Sequence, residues 1–305
     1  MKKLVILKHG GGELANQLWN YVSIYAYALE KGITVQNPSF FEYHPYFRFI
    51  DHEIATTKIF SFWFRDFSGR RSSLRNRFWR FIYALYSKMV ASLHPSSLVS
   101  SENVKSERAY LPPTKEMEFP NKETLYFLGW LFRNPTGLAK WRNSLIGAFA
   151  PNESILNRAD MLIESLRKTS ETVIGLHIRQ GDYKIFKDGR YLISQSRVRQ
   201  IVDEFLSLRD IDPNKATILI TSDGPIDQDV FKGLNICISK ENAVTDLFLL
   251  SKTDAILSSD SSFGAFASWY GNIPHVVMTS DPIDWSYYNE KTAYFENKYA
   301  TLARY

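Results

Sequence analysis

A chain of 305 residues with 45% hydrophobic and 23% charged residues can bury one large core or two ordinary ones, and two domains are expected. Its one cysteine, Cys237, excludes an internal disulfide and sits in the apolar run Leu234-Asn235-Ile236-Cys237-Ile238, where it reads as a small core residue. The net charge of +5 is too mild for a chain that binds polyanions over its whole surface, and no recognised nucleic-acid motif accompanies it.

Residues 3 to 8 read as a first strand, and the apolar run Leu4 to Leu7 is too short for a signal peptide or a membrane span, so a cytosolic protein is expected. Gly10, Gly11 and Gly12 allow a tight turn into a helix predicted from Leu14 to Lys31, with Leu14, Leu18, Val22, Tyr25 and Leu29 on one face. Gly32 stops that helix and Ile33-Thr34-Val35 resumes extended chain, a β-α-β beginning that predicts a parallel sheet.

The middle of the chain is less regular. Residues 37 to 60 read as loop-rich, 74 to 93 as helix, and 95 to 122 carry Pro95, Pro112, Pro113 and Pro120 among polar residues. Between Arg65 and Lys88 lie Arg70, Arg71, Arg75, Arg77 and Arg80, interleaved with aromatic residues, and Asp66 is the only acid. Such a helix can lie on an anionic membrane surface, with arginines on phosphates and rings at the headgroup boundary; alternatively its aromatics pack on the domain and its arginines are solvated. Membrane contact is the favoured reading.

Thr124 to Trp130 is expected to return as a strand to the first sheet, and a helix from Asn152 to Lys168 leads into the second half, with the boundary placed near residue 165. From there the alternation is regular: strand 172–178, helix 195–208, strands 216–221 and 235–238, helix 243–251, strand 254–257, helix 264–270 and strand 275–278. This is a Rossmann-like pattern.

Three segments carry chemistry. The strand Thr172 to Ile178 ends in Arg179-Gln180-Gly181-Asp182, where ligands bind in open α/β sheets. Gly10-Gly11-Gly12-Glu13-Leu14-Ala15-Asn16-Gln17 follows the first strand, and Ser258-Ser259-Asp260-Ser261-Ser262-Phe263-Gly264 precedes a late helix. Together, and in this order, they resemble the α-1,2-fucosyltransferase family (glycosyltransferase family 11), in which a Gly-Gly-Leu-Gly-Asn-Gln turn, a His-x-Arg-Arg-x-Asp strand end and a Ser-Ser-x-Phe helix start recur. The chain departs from that pattern at Glu13-Leu14-Ala15, where another glycine is usual, and at Gln180, where a second arginine is usual.

The resemblance implies the glycosyltransferase B architecture, α/β with two Rossmann-like domains facing across a cleft. The first, 1–165, would take the acceptor and carry the basic aromatic insertion; the second, 166–305, would bind the GDP-sugar, with its last residues packing back on the first. It implies a bacterial-type inverting enzyme that moves L-fucose from GDP-fucose to a glycan, in particular a lipid-linked oligosaccharide of a surface polysaccharide. Gln180, which brings hydrogen bonds without charge, keeps other GDP-sugars open as donors.

Charge on the departing diphosphate needs a metal or fixed cations. Asp227-Gln228-Asp229 formally matches a metal-binding pair, but a polar loop or helix start fits it better, so metal-independent chemistry is expected. Arg179 is the first candidate for the β-phosphate, because its planar fork suits phosphate oxygens. Ser261, Ser262 and the amide of Phe263 form the second part, at a helix start that can be simply capped or can hold an anion. Gly11, Gly12 and Asn16 are placed at the diphosphate or sugar by the resemblance, or they make a turn and a helix cap. His177 shares a strand face with Arg179 and either contacts the donor or is a satisfied buried histidine. Ser222-Asp223 stands at another strand end and is assigned to guanine or ribose, although Thr-Ser-Asp-Gly is also a plain turn. The base that takes the acceptor proton is sought in Asp182 and Asp188, with the alternative that Asp182 orients Arg179.

Overall fold

The computed structural model describes residues 2–8, 12–48, 55–63, 74–100, 109–110, 123–129, 132–189 and 191–288. By mutual contact the chain divides into one unit up to Asn152 and a second from Glu153.

The first unit opens with strand β1 (Lys3–Lys8) and helix α1 (Leu14–Lys31), which ends on Gly32 in the left-handed conformation. Strand β2 (Thr34–Gln36), helices α2 (Ala55–Trp63) and α3 (Leu74–Leu93), and strands β3 (Leu98–Ser100), β4 (Ala109–Tyr110), β5 (Thr124–Leu128) and β6 (Phe132–Arg133) follow. Helices α4 (Pro135–Lys140) and α5 (Arg142–Ala148) close the unit. Its main sheet is parallel in the order β2-β1-β5-β3, so Thr124–Leu128 does return beside the first strand. Part of the segment read as loop-rich, 37 to 60, is helical in α2, whose Phe60 is buried with Phe41 and Tyr83.

Helix α3 is fastened to the unit along one face. The Tyr83 hydroxyl donates to the Leu7 carbonyl of β1 at 2.7 Å. Arg80 forms a fork on Glu42 with bonds of 2.6 and 2.8 Å, and Trp79, Ile82 and Tyr86 pack around the Phe41–Phe60–Tyr83 cluster. The packing alternative for the basic aromatic stretch therefore holds for this face of α3. Residues 64–73 of that stretch lie outside the described residues, as do the last residues expected to pack back on the first domain. Among the described residues, no helix is long and apolar enough to cross a membrane.

The second unit begins earlier than residue 165. Helix α6 (Glu153–Arg167) packs on the later helix Ala243–Leu250 of this unit and leads into β7 (Thr172–Ile178). It buries Ile155, Ala159 and Ile163 there, which is why the boundary falls before the helix and not at its end. Helix α7 (Gln195–Leu208), β8 (Ala216–Ser222), β9 (Ile236–Ile238), α8 (Ala243–Leu250), β10 (Ala255–Ser259), α9 (Ser262–Gly271) and β11 (His275–Met278) complete it.

All five strands of this unit are parallel, in the order β11-β10-β7-β8-β9. One face packs Ile174, Leu176, Ile178, Ile218 and Ile220 against Val198, Ile201, Val202 and Phe205 of α7. Each such side chain, fully buried, contributes about 1.5–3 kcal/mol. Helices α6, α8 and α9 lie together and against the strands on the other face. The chain runs from β7 outward through β8 to β9 and then returns to the opposite side of β7 as β10. The strand order therefore reverses between β7 and β10, and open α/β sheets take their ligands at the carboxyl ends of the strands at such a point.

Candidate functional site

The turn after β7 is stitched to both neighbouring strand ends. The Arg179 amide donates to Ser259 Oγ at 3.1 Å, on the β10 side. On the β8 side, Asp223 Oδ1 accepts from the amides of Gln180 and Gly181 at 2.6 and 3.1 Å, and its Oδ2 pairs with Arg179 Nη1 at 2.8 Å. Gly181 permits this approach, since a Cβ there would stand 2.7 Å from Asp223 Oδ2. The carboxylate assigned to guanine or ribose is thus occupied in orienting the arginine, the role considered for Asp182. Ser222 Oγ donates to the Ile178 carbonyl at 2.8 Å, so it too joins the strand ends.

Gln180 is committed to the β8 side. Its buried amide donates to Ser222 Oγ at 3.0 Å and to the Pro225 carbonyl at 2.9 Å. The guanidinium of Arg179 also lies over the Tyr183 ring, 5.8 Å from its centroid, and the Tyr183 hydroxyl donates to the Asp260 carbonyl at 2.7 Å. Sequence reasoning missed Tyr183, Ser259 and Thr221. Tyr183 directly follows the central motif and Ser259 lies within the late one, whereas Thr221 gave no signal beyond standing near a strand end.

His177 is buried, with Nδ1 3.0 Å from Thr221 Oγ1 and its ring stacked on Phe263 at 4.5 Å between centroids. Burial, aided by the positive charge of Arg179 and opposed by Asp223, lowers its pKa to about 4, so the imidazole is neutral near pH 7. Its Nε2 is buried without a partner. Where the Thr221 hydroxyl donates to Nδ1, the ring proton sits on Nε2 and forms an unused donor.

Ser261 precedes α9 with extended backbone, φ −139° and ψ 151°, yet makes no capping bond, and its Oγ is buried without a partner. Simple capping by Ser261 therefore does not occur. A ten-residue helix start of this kind, together with that hydroxyl, suits an anion. Gly264 lets this turn lie against β10, because a Cβ there would meet Ser258 Oγ at 2.3 Å. Ser258 is itself bonded to His275 Nε2 at 2.7 Å.

The structure thus brings Arg179, His177, Asp223, Ser222, Ser261, Ser262 and Phe263 to one end of the second unit's sheet. Asp188 is exposed at φ 57° in the loop that follows, and the Asp182 side chain lies outside the described residues, as does Gly11. Gly12, at φ 80°, and Asn16 follow β1 in the first unit. Asp227 accepts from the Asp229 amide and so starts a short helical turn. Among the described residues, no three of His, Cys, Asp and Glu stand together as a metal would need. Chemically, this end of the sheet offers a cation, a buried neutral imidazole, a hydroxyl and helix amides, which suits a phosphate group.

No family model matches the sequence, and no curated protein matches it. Solved structures do match. Fucosyltransferase NodZ from Bradyrhizobium superposes with a TM-score of 0.56 at 14% identity, over 92% of this chain and 97% of that one. NodZ α-1,6-fucosyltransferase soaked with GDP-fucose gives 0.54 at 14%, over 95% and 98%. A mutant of Arabidopsis thaliana FUT1 in complex with GDP gives 0.52 at 15%, over 93% and 71%. At these identities the likeness establishes the fold: mixed α/β with two parallel sheets, matching fucosyltransferases of the glycosyltransferase B type.

Proposed function

We propose that this chain is an inverting fucosyltransferase that moves L-fucose from GDP-fucose to a glycan hydroxyl in α-1,2 linkage, in the making of a bacterial surface polysaccharide. The observation that carries the reading is the group of residues gathered at the carboxyl ends of β7 and β10. There the Arg179 fork, the start of α9 and two buried orphan groups, His177 Nε2 and Ser261 Oγ, come together, a set that could neutralise and hydrogen-bond a diphosphate leaving group. Structures of like fold that hold GDP or were soaked with GDP-fucose support the donor, and the three sequence segments support the linkage.

In this reading Arg179 and the α9 amides take up charge on the β-phosphate as the glycosidic bond breaks, while Asp223 holds the guanidinium in place. The acceptor hydroxyl attacks from the opposite side and loses its proton to a base from the loop after β7, for which Asp182 and Asp188 are the candidates. Gln180, committed to Ser222 and Pro225, contributes no charge, and this absence favours a second reading in which another GDP-sugar is the donor.

Calorimetry with GDP, GDP-fucose, GDP-mannose and UDP-glucose, with magnesium and with chelator, tests the donor site. Metal-independent binding of GDP and GDP-fucose with UDP-glucose rejected is expected, and binding of none would end the proposal. NMR of the product formed on β-galactoside acceptors then reads the linkage.

A further inference from the structure

We infer that the outer face of α2 and α3 is a docking surface for an anionic phospholipid bilayer. Leu74, Phe78, Phe81, Leu85, Met89 and Leu93 follow one another at helical spacing of three or four along α3, and all are exposed. Phe78 and Phe81 are 54% and 59% open, on the side opposite the buried Tyr83. With 1.5 Å per residue the stripe is about 28 Å long. On α2, Ile59 is 55% open as well. Scattered exposed apolar residues are ordinary, but a continuous stripe of this size marks a partner.

Charge decides which partner. Neither α2 nor α3 contains a single Asp or Glu, while α3 carries Arg77 and Lys88 exposed on one flank of the stripe. Pairing with a second copy of this stripe would set cations against cations with no carboxylate to answer them. A nucleic acid would meet the cations but would leave Leu74, Leu85, Met89 and Leu93 without a counterpart. A layer of lipid phosphates above acyl chains satisfies both, with the apolar side chains reaching the headgroup boundary and Arg77 and Lys88 meeting phosphates. Because Tyr83 and Arg80 fasten the inner face of α3 to the unit, the helix lies on the membrane plane.

Co-sedimentation of the full chain with vesicles of one part phosphatidylglycerol to three of phosphatidylcholine, and with phosphatidylcholine alone, tests this. Binding to the anionic vesicles at least tenfold stronger is expected, weakening with salt. Phe81→Ser with Leu85→Ser should lower it about tenfold or more, and Arg77→Gln with Lys88→Gln by a similar factor, at about fivefold per cation. All four positions are exposed, and far-UV circular dichroism confirms that the variants fold. The inference is overturned by equal binding of variants and wild type, or by no preference for the anionic lipid. It is also overturned by a dimer in sedimentation velocity that Phe81→Ser dissolves without vesicle binding, or by tight RNA binding in place of vesicle binding.

Discussion

Replacing His177 with glutamine is expected to change the way stability depends on pH, with a sign that the buried imidazole dictates. In the folded chain its pKa is held at about 4, against 6.5 for an exposed histidine. Between these values the unfolded chain binds a proton that the folded chain refuses. The contribution of neutral His177 is therefore whole above about pH 6.5 and is lost as the pH falls toward 4. At about 1.36 kcal/mol per pH unit, a window of roughly 2.5 units amounts to about 3 kcal/mol. Asp246 at the start of α8 acts in the opposite sense. Burial raises its carboxyl from 3.8 to about 7, with Glu241 adding and the Ser239 hydroxyl opposing. Its folded form keeps a proton that the unfolded form releases, so that stability is present at low pH and is lost as pH rises from about 4 to about 7. That amounts to about 4 kcal/mol at most, before the residual exposure of the carboxyl is allowed for. Urea unfolding of wild type, His177→Gln and Asp246→Asn from pH 4.5 to 7.5 separates the two, because all other groups cancel in the differences. Wild type minus His177→Gln should fall on acidification and wild type minus Asp246→Asn should rise. A difference curve for His177→Gln that is level between pH 4.5 and 6.5 would refute the buried neutral imidazole.

Arg179→Ala should leave the fold intact, since its pair with Asp223 is partly exposed and worth about 1 kcal/mol or less, while turnover with GDP-fucose drops by about 10²–10³ or more; wild-type-like turnover would remove the central claim. Ser261→Ala should stay within about 0.5 kcal/mol of wild type in urea unfolding, because no capping bond is lost, yet calorimetry should show weaker GDP binding; a loss near 1 kcal/mol without a change in binding would restore the capping role. Gly264→Ala should destabilise the protein by about 1–3 kcal/mol, read as a lowered urea midpoint, because the new methyl meets Ser258.

Periodicity made most elements readable. Helix α1, α3, α7 and strand β7 run as their apolar spacing predicts, and the serine run before α9 marked the helix start. What escaped was either short or joined across long stretches of chain. Strands β3, β4 and β6 have two or three residues, below the length at which alternation can be seen. Helices α4 and α5 are short too, although Asn134, which accepts from the Gly137 amide, and Pro135 give a readable start signal. The placing of Asp223 on Arg179 joins residues far apart in the chain, and no local pattern reports such a contact.

The same stitching bears on the order in which the protein assembles. The bond from the Arg179 amide to Ser259 closes a separation of 80 residues, and that from the Gln180 amide to Asp223 one of 43. Such distant closures come late, after local helices and hairpins have formed. The turn bearing Arg179 acquires its geometry only when β8 and β10 have both docked on β7. The proposed nucleotide binding would thus be a clock for the last step of folding in this unit: during refolding, its recovery should trail the return of helical signal.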